Sequence, residues 1–140
     1  MSELRKANSD RPFFLTLPVV GWIDVFTRND YCDEFIRNLE YCRKNKGLKV
    51  YAYCIMSNHI HLIAAHNDGK LPDVIRDLKS YTAKRIIERI SNNLQESRKE
   101  WLLYLFNFLR TIPAKTAHIS FGKKQVSQLN YTHPKYLIRK

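Results

Sequence analysis

The 140 residues, 44% of them hydrophobic, suit one domain with a core of its own and exclude a chain that is disordered throughout. No apolar run is long enough to cross a bilayer, and the polar residues 1–12 lack the apolar core of a signal peptide, so we expect a cytoplasmic protein with no membrane partner. The formal net charge of +11 favours a polyanionic partner, nucleic acid before a membrane surface.

The first elements along the chain are predicted to be a strand and a helix. Residues 13–20 are apolar and β-rich, although Pro18 suggests an edge or a break. Residues 27–30 have capping-box form, Thr-x-x-Asp, and apolar residues then recur at helical spacing as far as Cys42. Gly47 is predicted to end this helix.

The next elements are predicted to be a hairpin and two helices. Residues 48–56 and 59–66 are strands, and a strongly amphipathic helix opens at Leu71. A further helix is predicted over residues 95–109. The residues predicted to face inward are Leu71, Val74, Ile75, Leu78, Thr82 and Ile86 in the first helix, and Trp101, Leu102, Leu105 and Phe108 or Leu109 in the second. This order of elements predicts an α+β sandwich with a mostly antiparallel sheet.

The three cysteines, Cys32, Cys42 and Cys54, lie far apart in the sequence and form no Cys-x-x-Cys pair. This spacing disfavours a disulfide framework and a zinc ribbon. We expect all three to be buried thiols.

Two histidines on one predicted strand are the strongest candidates for chemistry. His59 and His61 are two residues apart, so their side chains point to the same face of a strand, whereas Ile60, Leu62 and Ala64 point to the other. Two imidazoles on one face can hold a metal ion. Mn²⁺ readily accepts nitrogen and oxygen ligands together. For Mg²⁺, which prefers oxygen, phosphate oxygens and waters could complete the coordination shell. The alternative is a pair of polar-face histidines without a metal, and the pair alone does not decide between them.

The surrounding sequence resembles a known family. Residues 51–63 (YAYCIMSNHIHLI) are similar to the signature of the REP-associated tyrosine transposases, which belong with the single-strand insertion-sequence transposases of the HUH type. Residues 46–48, 78–82 and 95–102 resemble the same family in the same order. The resemblance covers approximately residues 12–110.

The resemblance implies a ferredoxin-like fold, related to RNA-recognition folds, with helices on one face of the sheet. It also implies a homodimer that binds single-stranded or hairpin DNA, with Mg²⁺ or Mn²⁺ held at His59 and His61. In this family a tyrosine on a C-terminal helix attacks a DNA phosphate and forms a 5′-phosphotyrosine link. Basic residues of the second helix would then hold backbone phosphates. These are Arg76, Lys79, Lys84 and Arg89.

The family's tyrosine helix has no full match in this chain. Residues 131–134 (Tyr-Thr-His-Pro) are superficially similar to it. Tyr131 is therefore the candidate nucleophile. Tyr81 and Tyr104 are alternatives within the region of resemblance.

A frameshift would explain the departure. Residues 111–140 contain six Lys or Arg and no Asp or Glu. Permitted codons for residues 121–140, read from their third nucleotide, can encode a peptide that resembles the family's segment before its tyrosine helix. We therefore expect an incomplete HUH domain over residues 1–110 and an out-of-frame basic tail over residues 111–140. The final strand and helix would then be missing, leaving an exposed sheet edge.

Three functions follow from these expectations. The first is a tyrosine transposase, inactive in this copy if the nucleophile is missing. The second is a nucleic-acid-binding module without catalysis. The third is a metal-dependent nuclease that uses water instead of tyrosine.

Overall fold

The computed structural model describes residues 11–111 and 126–128. Its elements, in chain order, are β1 (Phe13–Pro18), α1 (Asn29–Asn45), β2 (Leu48–Ile55), β3 (His59–His66), α2 (Leu71–Asn92), α3 (Lys99–Thr111) and β4 (Val126–Gln128). A short 3-10 turn, Val20–Trp22, follows β1. Among these elements no helix has both the length and the apolar character that crossing a bilayer requires.

The four strands form one sheet in the order β2-β3-β1-β4. Each neighbouring pair is antiparallel. This order, with α1 between β1 and β2 and α2 after β3, is that of a ferredoxin-like sandwich. The predicted α+β class and antiparallel sheet are confirmed.

The edge of the sheet beside β1 differs from the expectation. β4 pairs with β1 from Phe13 to Leu15, so the final strand is present and that edge is partly covered. Among the residues that the structure describes, the remainder of β1, which ends at Pro18, pairs with β3 alone. Proline is tolerated there because its missing N–H falls where β4 does not reach.

The two faces of β3 differ in burial as the alternation predicts. Ile60, Leu62 and Ala64 have no exposed surface, because this face packs against the helices, whereas His59 and His61 on the other face are half-buried. We call the face that carries the histidines the open face. The predicted inward stripe of α2 is confirmed, since all six of its residues are buried.

The start of α1 corrects the capping-box prediction. The helix begins at Asn29, and its cap residue Arg28 makes no side-chain capping hydrogen bond. Thr27 Oγ1 instead accepts a hydrogen bond from Arg98 Nη2 at 3.0 Å. The threonine therefore joins this segment to the loop before α3 rather than capping α1.

The start and inner face of α3 also differ from the prediction. The helix begins at Lys99 instead of residue 95, because Glu96 lies in the preceding loop as a buried ion-pair partner. Leu102 and Phe106 face the core, whereas Trp101 and Phe108 are about half exposed. The helix is apolar on more than one side, so periodicity alone did not identify its buried face.

The cysteines occupy three different environments. Cys42 is buried, Cys32 is intermediate and Cys54 is exposed, so the expectation of three buried thiols is wrong for Cys54. This residue lies opposite His61 in the β2–β3 register, and hence on the open face.

A third histidine at the end of β3 is structural. His66 Nε2 lies 2.8 Å from the carbonyl oxygen of Lys46 and donates to it, and His66 Nδ1 accepts from Asp68 N–H. A Cβ added at Gly47, where φ is +66°, would meet His66 Nε2 at 3.1 Å. The glycine that ends α1 therefore provides both a left-handed turn and room for this ring.

Candidate metal centre

The two histidines predicted as metal ligands lie side by side on the open face. The Nε2 atoms of His59 and His61 are 3.2 Å apart. Their ring centroids are 4.7 Å apart and the ring planes cross at 77°. The expectation that both rings share one face and converge is therefore confirmed.

A hydrogen bond at the other ring nitrogen orients each imidazole. His59 Nδ1 donates to Asn58 Oδ1 at 2.7 Å, which leaves the lone pair of His59 on Nε2, facing His61. Thr16 Oγ1 lies 3.2 Å from His61 Nδ1, and a hydroxyl can donate or accept. By accepting from Nδ1, Thr16 allows His61 to present its Nε2 lone pair too, as metal binding requires.

The protonation state of His61 also suits a metal. Burial lowers the pKa of His61, and the charge of His59 lowers this pKa further. A lowered pKa favours the neutral imidazole near pH 7, and only a neutral imidazole can donate a lone pair to an ion.

The turn that precedes β3 is fixed by hydrogen bonds from two sides. Val19 N–H donates to Asn58 O at 2.9 Å, and Phe26 N–H donates to Ser57 O at 2.8 Å. Ser57 Oγ also donates to Asp24 Oδ1 at 2.6 Å. The side-chain oxygen of Asn58 is therefore held in place beside the histidine pair.

A buried carboxylate ties the same segment to the loop before α3. Glu96 accepts hydrogen bonds from Arg28 Nε at 2.8 Å and from Tyr31 Oη at 3.0 Å. Arg98 donates to Glu96 and also to the carbonyl oxygen of Asp24, at 2.8 Å. Burial would raise the pKa of Glu96, but the hydrogen bonds and the nearby arginine charges lower it overall. This carboxylate therefore stays ionised and supports the segment that fixes the turn.

Aromatic rings flank the histidine pair on both sides. The Trp22 ring stands edge-on to His59 with centroids 5.6 Å apart, and Phe14 stacks on His61 at 5.1 Å. Trp22 is 57% exposed and has φ of +53°, next to Gly21 at +66°. A left-handed backbone at a bulky residue costs of the order of 1–3 kcal/mol.

The donor set fits a divalent ion that accepts nitrogen together with oxygen. Two neutral imidazole nitrogens leave room for water and phosphate oxygens, which suits Mn²⁺ and also a largely oxygen-ligated Mg²⁺. Over the described part of the chain, no cluster of three His, Cys, Asp or Glu residues includes the pair. His59 and His61 are thus the residues of this region that would hold the ion.

The four basic residues predicted to bind DNA lie on α2, in the helical layer behind the sheet. Arg76 pairs with two aspartates of its own helix, and Arg89 pairs with the buried Glu34. Lys84 is exposed and lines a groove of about 740 Å³ between α1 and α2. This surface is separate from the open face. DNA binding by Arg76, Lys79, Lys84 and Arg89 stays a prediction.

The candidate nucleophiles are placed in different parts of the chain. Tyr81 lines the groove between α1 and α2. Tyr104 is 67% exposed on α3 and stacks on Phe108, with centroids 6.3 Å apart. Tyr131 lies outside the described residues, so the identity of the nucleophile also stays a prediction.

Sequence reasoning missed the neighbours of the histidine pair. Thr16 and Phe14 alternate with buried residues of β1, which places them on one face, but only the β1–β3 register puts Thr16 opposite His61. Trp22 lies beyond the end of β1, and its position depends on a turn that no periodicity reveals. Asn58 lies within the motif of residues 51–63, but the motif alone does not show that it orients His59.

Comparison with protein families identifies the class. The model of the family described as "Transposase IS200 like" matches residues 23–105, which is more than half of the chain. The chain therefore belongs to the IS200-like transposase family, and the family resemblance seen in the sequence is confirmed. The class implies DNA as the partner and DNA transposition as the process.

A solved structure has the same fold. The crystal structure of a protein described as a candidate transposase from Deinococcus radiodurans R1 superposes with a TM-score of 0.53 and 15% sequence identity. The match covers 85% of this chain and 78% of that chain, and at this identity it concerns the fold alone. The chain has no significant match among curated protein sequences.

Proposed function

We propose that this IS200-like transposase binds single-stranded or hairpin DNA on the open face, with Mg²⁺ or Mn²⁺ held by His59 and His61 against the phosphate to be cut. The observation that carries the proposal is the convergence of the two Nε2 atoms, 3.2 Å apart. The net charge of +11 supports binding to a polyanion. The hydrogen bonds at both Nδ1 atoms support a metal role, because metal-binding histidines are usually oriented in this way.

Two residues beside the pair would orient it toward a phosphate. Asn58 and Thr16 keep the two imidazole nitrogens aimed at one point, so little ordering remains when DNA binds. An ion bound there would offset the charge that develops on the phosphate during displacement.

For strand transfer we assign Tyr131 as the nucleophile. The phenol loses its proton and its oxygen attacks phosphorus, forming a 5′-phosphotyrosine link. The bond to the 3′ oxygen breaks, and that oxygen gains a proton to become the 3′-OH. A phenol with a pKa near 10 is a weak nucleophile at pH 7, so it depends on activation by the site.

DNA binding without strand transfer is the second candidate function. The observation that favours it is the lack of Asp and Glu in residues 111–140, a region for part of which permitted codons can encode a family-like peptide in another frame. An out-of-frame tail would lack the tyrosine helix, so residues 11–111 would bind metal and DNA without joining strands. Translation of the gene's nucleotide sequence in the other frame, continued beyond codon 140, tests this. A tyrosine-helix sequence there supports a frameshift, and its absence refutes one.

We also propose that the DNA-binding form is a homodimer, on the basis of the family resemblance. Light scattering of the purified chain with and without hairpin DNA measures this. A mass of two chains is expected, and a monomer in both conditions would refute it.

The main test is incubation of the protein with an end-labelled hairpin oligonucleotide and Mn²⁺. A protease-sensitive covalent adduct supports the tyrosine reaction, retardation without cleavage supports the binding module, and plain cleavage shows a nuclease that uses water. The double variant His59→Ala/His61→Ala should lose every metal-dependent product.

Tyrosine variants identify the nucleophile. Tyr131→Phe should abolish the adduct, and Tyr136→Phe, in the same tail, is the matched control and should retain it. An adduct that survives Tyr131→Phe but is lost in Tyr81→Phe or Tyr104→Phe would overturn the assignment of Tyr131.

A further inference from the structure

Trp22 combines two features that folding alone does not favour. Its indole is 57% exposed, although apolar surface of that size is normally buried. Its backbone is left-handed, with φ of +53°, in a region that glycine adopts freely and bulky residues avoid. A residue that is unfavourable in both respects is a candidate for a role in binding.

The surrounding segment fixes this conformation from both ends. Val19 donates to the carbonyl oxygen of Asn58, and Phe26 donates to that of Ser57. Val19 and Phe26 are themselves buried. Trp22 is therefore the exposed tip of a segment anchored at both ends to the turn that carries the histidine pair.

The position of the ring defines its ligand. Trp22 and His59 have centroids 5.6 Å apart with ring planes at 62°, so the indole meets the imidazole edge-on instead of covering it with a stacked face. The indole lies close enough to the proposed phosphate site for one nucleotide to place its phosphate there and its base on the ring. The base would have to be unpaired, because a base within a duplex cannot stack on a side chain.

The geometry points to Trp22 as a stacking platform for an unpaired nucleobase next to the phosphate held at His59 and His61. This inference rests on the proposed function and adds a residue that selects single-stranded over duplex DNA at the cutting site. Phe14 differs from Trp22, since its ring is stacked on His61 and serves to orient that imidazole.

The test compares the affinity of the full chain for a 12-nucleotide oligo(dT) and for a duplex of the same length, by fluorescence anisotropy at constant salt. Trp22→Gly should weaken oligo(dT) binding about tenfold, within the range measured for loss of one base–aromatic stack, and should leave duplex binding unchanged. Trp22→Phe should lose less, because it keeps a ring. Trp101→Ala, at a residue that is 52% exposed on α3, is the matched control and should change neither affinity.

The glycine variant separates stacking from stability. Glycine accepts the left-handed conformation without strain, so the melting temperature should not fall. In a Trp101→Phe background, oligo(dT) should also quench the emission of Trp22. Unchanged oligo(dT) affinity in Trp22→Gly, or absence of quenching, would overturn the role of Trp22.

The two proposals can fail separately. If the wild type binds oligo(dT) and Mn²⁺ while Trp22→Gly binds oligo(dT) equally well, the stacking role is wrong and the proposed function stands. If the wild type binds neither Mn²⁺ nor oligo(dT), the proposed function itself is wrong, and the stacking role falls with it.

Discussion

The two faces of β3 differ in role: one packs into the core, and the other carries the histidine pair. Ile60, Leu62 and Ala64 are fully buried under the helices, whereas His59 and His61 meet on the open face with their Nε2 atoms 3.2 Å apart. Because successive strand residues point in opposite directions, the apolar side packs into the core while the polar side presents the histidine pair. A site on such a strand is better positioned than one on a loop.

The comparison predicts that stability and metal binding separate by face. Leu62→Ala should lower the free energy of unfolding by about 2–5 kcal/mol, because it removes a fully buried side chain and leaves a cavity. Ile63→Ala, at the neighbouring half-buried position on the open face, should cost clearly less. Urea denaturation measures both, and equal losses would show that the two faces do not differ as described.

For the two histidines we expect the opposite pattern, a large loss of Mn²⁺ affinity with little loss of stability. His59→Ala/His61→Ala should reduce Mn²⁺ affinity by more than about a hundredfold, since losing ligands exceeds the 10–100-fold effect of losing their supporting partners. The unfolding free energy should change by less than about 1 kcal/mol, as expected for half-buried positions away from the core. Isothermal titration calorimetry and urea denaturation test the two halves of this prediction, and retained Mn²⁺ affinity would refute the site.

The residues that orient the rings should have intermediate effects. Asn58→Ala should weaken Mn²⁺ binding about tenfold, because His59 loses the acceptor that fixes its tautomer. Asn58→Asp retains an acceptor and is the control. Thr16→Val should act in the same direction through His61, with Thr16→Ser as its control, and calorimetry that finds no difference within either pair would show that the rings do not depend on these partners.

The smallest effect concerns ion pairs behind the sheet. Burial would raise the pKa of Glu34, but Arg89 and Arg85 lower it overall. A carboxylate with a lowered folded-state pKa stabilises the fold above its unfolded pKa, about 4.3, and loses this contribution as the pH falls through the folded value. Glu34→Gln should therefore flatten the decline in stability below about pH 4.3, whereas Glu100→Gln, at an exposed position, should not. Urea midpoints from pH 3 to 6 measure this, and identical slopes would contradict it.

β1, β2, β3, α1, α2 and the histidine pair could be predicted because each depends on local periodicity, whereas β4 was not predicted. The α2 stripe and the alternation in β3 are examples, and both agree with the structure. The buried face of α3 could not be predicted, since apolar residues occur around most of that helix. Thr16 and Trp22 could not be placed either, because their positions depend on strand register and on a turn between elements.

The most direct test is pulsed electron paramagnetic resonance of Mn²⁺ bound to the full chain. If His59 and His61 hold the ion, the spectrum should show coupling to two imidazole nitrogens, and His59→Ala/His61→Ala should remove it. Mn²⁺ that binds without imidazole coupling, or coupling that survives in the double variant, would contradict a metal centre on the open face of β3.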